Sequence, residues 1–250
     1  MTRRSFITAL AALFCFVVFS PALRPAAAQS LADLVRAGRA AEEGGALFGS
    51  VELKSGSLKG LPQWTRVLRS VERERVAFDR CTADATACTT AILRNWRRII
   101  TSAAKLPRKD RVKAVNDFFN RWPYKLDREL YGMSEYWATP KEFMTRSGDC
   151  EDYSIAKYFA LRKLGFAKEE LRIVILMDEI RGIGHSVLAI YVENDILILD
   201  SLSNLILSHT RYKQYIPQYS MNETTRWAHI GGFQKKKPEV YRGLLARKPK

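Results

Sequence analysis

A cysteine at position 150 lies within a short run of small and acidic residues, Ser147-Gly148-Asp149-Cys150-Glu151-Asp152. The residues after it, 154–164, have the periodicity of an amphipathic helix, which places Cys150 near a predicted helix N-terminus. Unpaired N–H groups and a partial positive charge at that end of a helix favour the thiolate, the nucleophilic form of cysteine. Farther along the chain, His185 opens one strand-like run and Asp200 closes the next. A cysteine, a histidine and an aspartate in this order favour a thiol hydrolase or an acyltransferase.

The spacing of His185 and Asp200 suits two neighbouring strands of a hairpin. If the loop between the strands is Glu193-Asn194, Asp200 pairs opposite Val187, and His185 then shares its face. A loop of odd length would put the two side chains on opposite faces. The aspartate would orient the imidazole, and the histidine would accept the thiol proton.

Each of these residues also has a structural interpretation. A cysteine at a helix start, a histidine on an apolar strand and an aspartate at a strand end are each common without any catalytic role. Their order and predicted placement together favour the catalytic interpretation. His209 and His229 lack comparable neighbours and are left outside the candidate site.

The N-terminus is typical of export. Arg3 and Arg4 precede an apolar run at residues 6–19, and small residues follow at 25–28. This pattern predicts a signal peptide over residues 1–28, and the apolar run is short for a membrane span. An uncleaved N-terminal anchor is the alternative. If the signal peptide is cleaved, we expect the mature chain to be a single domain over residues 29–233 in the periplasm, followed by a basic tail at 234–250. No further membrane-spanning segment is predicted.

The chain is basic, with a formal net charge of +15 that falls to +12 once Arg3, Arg4 and Arg24 are removed. The charges are dispersed, and the sequence has neither zinc-finger spacing nor an aromatic RNA-binding motif. Export also argues against a nucleic-acid partner. Solvated helix faces and a basic tail explain the charge, and an acidic protein substrate or a membrane surface is the functional alternative.

The chain contains four cysteines, of which Cys15 lies in the predicted signal peptide. Cys81 and Cys88 flank residues 82–87, and in an oxidising compartment they are expected to form a disulfide. A metal pair is the alternative, but no nearby histidine or further cysteine completes such a site. Cys150 is then the unpaired thiol of the mature chain.

The hydrophobic periodicity changes halfway along the chain. A glycine-rich stretch at residues 44–60 is predicted as loop. Helical patterns follow at residues 62–76, 87–100, 108–122, 139–147 and 154–164. Strand-like runs then occupy residues 171–178, 185–192, 195–202 and 215–222. Helices followed by a small antiparallel sheet, with the cysteine helix packed on it, predict an α+β fold.

Two long blocks resemble a known family. Residues 136–143, Tyr-Trp-Ala-Thr-Pro-Lys-Glu-Phe, and residues 148–162, beginning Gly-Asp-Cys-Glu-Asp-Tyr, are similar to the bacterial transglutaminase-like cysteine peptidases, which include the LapG-type periplasmic proteases. The blocks around His185 and Asp200 match as well, and the resemblance covers roughly residues 108–227. It implies a papain- and transglutaminase-like fold with catalysis by Cys150, His185 and Asp200.

The resemblance also implies calcium close to the cysteine. The acidic residues that flank Cys150 are Asp149 and Glu151, and Asp127 in the preceding loop is a further ligand candidate, since calcium prefers carboxylate and carbonyl oxygens. The alternative is that Asp149 caps the helix and Glu151 interacts favourably with its dipole. For the oxyanion, the Cys150 backbone N–H and the Trp137 indole N–H are candidate donors, and core packing is the alternative role of Trp137.

The expected function is therefore a periplasmic cysteine endopeptidase that acts through a thioester acyl-enzyme. By resemblance, its protein substrate is a large surface adhesin. A cyclic-di-GMP-responsive inner-membrane receptor is expected, also by resemblance, to sequester the peptidase. Two alternatives stay open: transglutaminase-type transfer of the acyl group to an amine, and a non-catalytic envelope binding module.

Overall fold

The computed structural model describes residues 46–232. The predicted signal peptide at 1–28 and the basic tail at 234–250 lie outside the described residues. None of the helices within residues 46–232 is long and apolar enough to cross a membrane.

Within residues 46–232, three helices precede the cysteine helix and its two short neighbours. Helix α1 spans Pro62–Ala83, α2 spans Ala91–Ala103 and α3 spans Arg108–Phe119. Proline begins α1, where its missing N–H costs no hydrogen bond. The predicted disulfide joins Cys81 in the last turn of α1 to Cys88, ahead of α2. Helix α1 is longer than the predicted 62–76 and carries Cys81 within it.

Two short helices and the longer cysteine helix build the region around the cysteine. Helix α4 spans Asp127–Tyr131, α5 spans Pro140–Arg146 and α6 spans Cys150–Lys163. Helix α5 starts with a capping box between Thr139 and Glu142, as its sequence predicts. Helix α6 begins at Cys150 itself.

In the part of the chain that the structure describes, the sheet has seven antiparallel strands in the order β1-β7-β6-β2-β3-β4-β5. Their bounds are β1 Ser50–Ser55, β2 Leu171–Asp178, β3 Ile183–Val192, β4 Asp195–Leu199, β5 Leu207–Ser208, β6 Tyr215–Met221 and β7 Arg226–Gly231. Strands β2, β3, β4 and β6 correspond to the predicted runs. Strand β1 falls in the stretch predicted as loop, and β5 and β7 were not predicted. A short edge strand such as β1 depends on its distant partner β7 for its hydrogen bonds, which a local pattern does not reveal.

The sheet separates two hydrophobic layers. Helix α6 packs on one face, where Ile155 lies in the same core as Ile173 and Leu188. On the other face, Val187 and Phe48 belong to a second, smaller core. The architecture is α+β, with the helices and an antiparallel sheet that the sequence predicts.

Candidate active site

The segment between α5 and α6 places Cys150 at a helix N-terminus. The chain reverses at Ser147, which has a positive φ of 72°. Gly148 follows, and a Cβ there would lie 2.0 Å from Asp152 Oδ2, so the position has room only for glycine. Asp152 Oδ2 in turn accepts a hydrogen bond from the Asp149 N–H at 3.2 Å. The first turn of α6 is therefore organised around the Asp152 carboxyl group.

The Cys150 thiol lies among acidic groups. Its Sγ donates to Glu151 Oε2 at 3.4 Å. Burial, followed by the charges of Glu151 and Asp149, raises the thiol pKa well above its usual value, while a hydrogen bond from the Ser186 backbone N–H works in the opposite direction. The lowered thiol pKa expected from the helix N-terminus is thus wrong for this structure, because burial, followed by the neighbouring acidic groups, outweighs the partial positive charge of the helix.

His185 and Asp200 form a buried pair. His185 Nε2 lies 2.9 Å from Asp200 Oδ1, and both side chains are only 2% exposed. The β3–β4 hairpin has the two-residue loop Glu193-Asn194, with Val192 opposite Asp195 and Leu188 opposite Leu199. Continuing this register puts Asp200 opposite Val187, as predicted from the sequence.

The Asp200 carboxylate has two further donors. Leu202 N–H donates to Oδ1 at 3.0 Å, and the Tyr215 hydroxyl donates to Oδ2 at 2.6 Å. Burial alone would raise the pKa of Asp200. The hydrogen bond and charge of His185 oppose this, as do the hydrogen bonds from Tyr215 and Leu202, and the pKa is held below its usual value. The carboxylate is therefore kept ionised and oriented toward the imidazole.

The backbone of Asp200 is tied to two helices. Its carbonyl oxygen accepts from Lys157 Nζ on α6 at 3.1 Å and from Asn120 Nδ2 after α3 at 3.0 Å. Lys157 is 1% exposed, and burial lowers its pKa to about 7, against the raising effect of Asp200. These contacts connect the helix that begins at Cys150 to the end of the strand that carries Asp200.

Three aspartates form an acidic cluster beside the cysteine. Oxygen atoms of Asp127, Asp149 and Asp152 lie within 4.8 Å of one another. The Lys125 N–H donates to Gly148 O at 2.9 Å, which brings the start of α4 alongside the start of α6. Asp127, expected in a loop, is the first residue of α4. We call Asp127, Asp149 and Asp152 the aspartate cluster.

The residues 136–138 hold the aspartate cluster from the other side. The Tyr136 N–H donates to Asp127 Oδ2, and the Ala138 N–H donates to Asp152 Oδ1 at 2.5 Å. Burial, then the charges of Asp149 and Glu135, raise the pKa of Asp127 to about 6, although the Tyr136 N–H opposes them. Burial and the charges of Asp149 and Asp127 also raise the pKa of Asp152 well above its usual value.

The donor chemistry of the aspartate cluster fits a calcium ion. Asp127 Oδ1 and Asp149 Oδ1 are buried and have no hydrogen-bond partner. Unpartnered buried carboxylate oxygens are costly unless a cation takes them, and hard oxygen ligands are those that calcium prefers. Of the sequence candidates, the structure brings Asp127 and Asp149 together and places Glu151 with Asp149 and the Cys150 thiol instead. Asp152 is the member that sequence reasoning missed, although its position three residues after Asp149 in a helix start was a usable signal.

Trp137 lies in the helical core, with 3% of its surface exposed. Its Nε1–H donates to Glu135 Oε1 at 3.0 Å. The oxyanion role of this indole stays a prediction, and in this arrangement it would require the N–H to leave Glu135.

The two remaining histidines have other partners. His209 Nδ1 accepts from the Phe48 N–H at 2.9 Å, and His229 lies between the hydroxyls of Ser50 and Ser220, at 2.7 and 2.8 Å. Burial lowers the pKa of His229 to about 4, and the charge of Glu52 opposes that effect. Neither contact involves Cys150 or Asp200.

Comparison with known proteins identifies the family of the chain. The sequence profile of the family described as bacterial transglutaminase-like cysteine proteinase matches residues 75–235, which is more than half of the chain. A structure of LapG from Legionella pneumophila is 32% identical with a TM-score of 0.53, covering 60% of this chain and 85% of LapG. No individually curated protein sequence matches the chain.

Two further LapG structures from the same organism differ in calcium. The EGTA-treated form is 32% identical with a TM-score of 0.54, and covers 62% of this chain and 86% of LapG. The calcium-bound form is 30% identical with a TM-score of 0.54, and covers 67% of this chain and 97% of LapG. The similarity therefore extends over nearly the whole of that protein. On these matches, the chain belongs to the bacterial transglutaminase-like cysteine proteinases, a family of cysteine peptidases.

Proposed function

We propose that the chain is a periplasmic cysteine endopeptidase in which Cys150 is the nucleophile, His185 the general base and acid, and Asp200 the partner of the imidazole. The observation that carries the proposal is the buried His185–Asp200 pair at 2.9 Å, in a cysteine peptidase whose remaining unpaired thiol among residues 46–232 begins helix α6. His185 Nε2 faces Asp200, which leaves Nδ1 as the nitrogen for the thiol proton.

In the proposed reaction, His185 takes the proton of Cys150 as the sulfur attacks the carbonyl carbon of the scissile peptide bond. The C–N bond breaks, the amine leaves with the proton from His185, and the acyl group stays on sulfur as a thioester. Water then attacks the thioester, His185 accepts its proton, and the C–S bond breaks to return the thiol. The net reaction adds one water to one peptide bond. Because the thiol donates to Glu151 in this structure, the first step requires it to turn toward His185.

We propose calcium as the cofactor, held by Asp127 and Asp149, with Asp152 as a further oxygen ligand. The unpartnered Oδ1 atoms of Asp127 and Asp149 support this assignment, as does the similarity to a calcium-bound LapG. A bound calcium ion supplies positive charge next to these carboxylates and fixes the start of α6. Glu151, predicted as a ligand from the sequence, lies closer to the thiol and is the less favoured member of the set.

The proposed substrate is an exported protein, by resemblance a large surface adhesin, and the proposed regulator is a cyclic-di-GMP-responsive inner-membrane receptor. The similarity to LapG supports both. Periplasmic location is supported by the signal-peptide pattern at residues 1–28 and by the disulfide between Cys81 and Cys88, since disulfides persist in oxidising compartments.

The test is a comparison of the wild type with Cys150→Ala on the surface and periplasmic proteins of the producing bacterium, with calcium and with EGTA. New protein N-termini are labelled and sequenced by mass spectrometry. We expect one or a few cleavage sites with the calcium-loaded wild type and none with Cys150→Ala. Cleavage by a folded Cys150→Ala variant would overturn the proposal, and equal cleavage in EGTA would remove calcium from it.

The same samples separate hydrolysis from acyl transfer. A fluorescent primary amine added to the reaction is incorporated into protein if an amine resolves the acyl-enzyme. Free carboxyl termini without fluorescence support the peptidase. Fluorescent products that depend on Cys150 would favour transglutaminase chemistry instead.

A further inference from the structure

Tyr215 lies at the start of strand β6 and contacts both members of the buried pair. Its hydroxyl donates to Asp200 Oδ2 at 2.6 Å, and its ring lies 5.8 Å, centroid to centroid, from the His185 ring. The side chain is 2% exposed, so this hydrogen bond does not compete with bulk water. Burial and the nearby charge of Asp200 raise the pKa of Tyr215, so the phenol keeps the proton that it donates.

The hydroxyl completes the hydrogen bonds of one carboxylate. Asp200 Oδ1 is shared by His185 Nε2 and the Leu202 N–H, whereas Tyr215 supplies the donor to Oδ2. A carboxylate held at both oxygens cannot rotate about its Cβ–Cγ bond without breaking a hydrogen bond in a buried site, which costs free energy. The orientation of Oδ1 toward the imidazole is therefore set partly from β6.

The ring of Tyr215 is itself fixed. Tyr212 stacks on it with centroids 5.0 Å apart, and Phe48 meets it edge-on at 5.8 Å. Asp178 pairs opposite Tyr215 across β2 and β6, and its charge reaches the phenol. Lys157, on the cysteine helix, donates to the backbone carbonyl of Asp200. Asp178 on β2, Tyr212 before β6 and Lys157 on α6 are thus ionisable groups close to the pair.

We propose that Tyr215 is a positioning residue for the peptidase reaction, whose hydroxyl fixes the Asp200 carboxylate so that His185 keeps the orientation in which Nδ1 serves Cys150. This inference rests on the proposed triad. Removing the hydroxyl leaves Oδ2 buried without a donor, and the carboxylate can then rotate away from the imidazole. The hydrogen bond from Tyr215 also contributes to the lowered pKa of Asp200, which agrees with an ionised partner for the imidazole.

The test compares Tyr215→Phe, which removes one hydroxyl and keeps the ring, with Tyr212→Phe as the matched control on the stacked neighbour. Kinetics use a peptide spanning the cleavage site found with the wild type. We expect Tyr215→Phe to lower kcat about ten- to a hundred-fold, the range for losing a hydrogen bond to a charged group, and to leave KM within about two-fold. Tyr212→Phe is expected to keep kcat within about two-fold.

A spectroscopic readout separates positioning from a merely structural role. The protein has three histidines, so imidazole N–H signals of the 15N-labelled chain can be assigned with His185→Gln. We expect the downfield His185 Nε2–H signal to move upfield or broaden by exchange in Tyr215→Phe and to persist in Tyr212→Phe. An unchanged signal together with unchanged kcat would overturn the proposal.

Two additions keep the outcome decisive. In an Asp200→Asn background, Tyr215→Phe should have little further effect on kcat, whereas a full additional loss would contradict action through Asp200. If Tyr215→Phe does not fold, the wild-type spectrum still decides: the Tyr215 hydroxyl proton should exchange slowly and show a contact to the His185 ring, and its absence counts against the proposal. Failure of the triad appears separately, as cleavage by Cys150→Ala.

Discussion

At the scale of single residues, the reactivity of Cys150 depends on the charges around one sulfur atom. A helix N-terminus contributes a partial positive charge of roughly half an elementary charge. Burial of the sulfur has the larger opposing effect, and together with the carboxyl groups of Glu151 and Asp149 it raises the thiol pKa. Sequence reasoning identified the helix start and the flanking acids, but which effect dominates depends on distances that only the fold sets.

Gly148 offers a test of how the start of α6 is built. Gly148→Ala would place a Cβ 2.0 Å from Asp152 Oδ2 and 2.6 Å from Asp152 Cβ, so Asp152 must move. We expect a loss of about 1–3 kcal/mol in the free energy of unfolding, measured by urea denaturation, because the shift disrupts the first turn of α6.

Gly56→Ala is the matched control, since a Cβ at Gly56 meets nothing within 4 Å. We expect the control to unfold within about 0.5 kcal/mol of the wild type. Equal stability of Gly148→Ala and the wild type would show that the Asp152 carboxyl does not occupy the space above Gly148.

At the scale of elements, the β3–β4 hairpin and the start of α6 follow from local signals. The two-residue loop after Val192 sets the register that puts Asp200 opposite Val187, and alternation along the strand then puts His185 on the same face as Asp200. Tyr215 and Lys157 could not be assigned in this way. They contact Asp200 from a different strand and from the cysteine helix, and no spacing in the sequence encodes such distant contacts.

The outer strands contain a histidine that couples folding to pH. His229 on β7 lies between Ser50 on β1 and Ser220 on β6, and burial lowers its pKa to about 4 from the unfolded value near 6.5. The unfolded chain therefore binds a proton more readily, so this residue's contribution is complete above about pH 6.5 and is lost as the pH falls toward 4. We expect protonation of His229 to lower the free energy of unfolding by up to about 3 kcal/mol, measured by denaturation between pH 7 and 4.5.

His229→Gln is the control for this pH dependence of stability. The glutamine does not titrate, so the variant should be less stable at pH 7 but should lose less stability on acidification than the wild type. Parallel pH profiles for the two proteins would exclude His229 as a source of the acid sensitivity. His209, whose pKa is also lowered by burial, remains in both proteins and contributes equally to each.

At the scale of the whole molecule, the fold joins segments that are far apart in sequence. Strand β1 pairs with β7, and Asp127 at the start of α4 meets Asp149 and Asp152 at the start of α6. The α+β class and the cysteine-bearing helix were predictable because they rest on local periodicity. Strand β1 was not, because the partner that gives it hydrogen bonds, β7, lies roughly 175 residues away. Strand β7 was also missed, although it pairs with the neighbouring β6 as well as with β1.

Calcium binding should stabilise the whole chain if the aspartate cluster is its site. At a calcium concentration a hundred times the Kd, the stabilisation is about 2.7 kcal/mol. We expect the thermal midpoint to rise by about 5–10 °C relative to EGTA in a domain of this size. Magnesium, which demands a tighter octahedral geometry, is expected to raise it less.

Asp127→Asn tests the assignment at nearly constant shape. The amide oxygen can still accept from the Tyr136 N–H, but one of three mutually repelling carboxylates is removed. We expect a higher midpoint in EGTA and a much smaller calcium-dependent shift. The control Asp110→Asn, on the exposed first turn of α3, should keep the full shift. An undiminished shift in Asp127→Asn would place calcium elsewhere.

The central claim is that Cys150 forms a thioester with the acyl half of its substrate. The most direct measurement is acid quenching of the calcium-loaded wild type within milliseconds of mixing with its cleavage-site peptide, followed by intact mass and peptide mapping. We predict an adduct on Cys150 equal in mass to the N-terminal half of the peptide, absent in Cys150→Ala. Cleavage of the peptide without that adduct, and at equal rate in Cys150→Ala, would contradict the account.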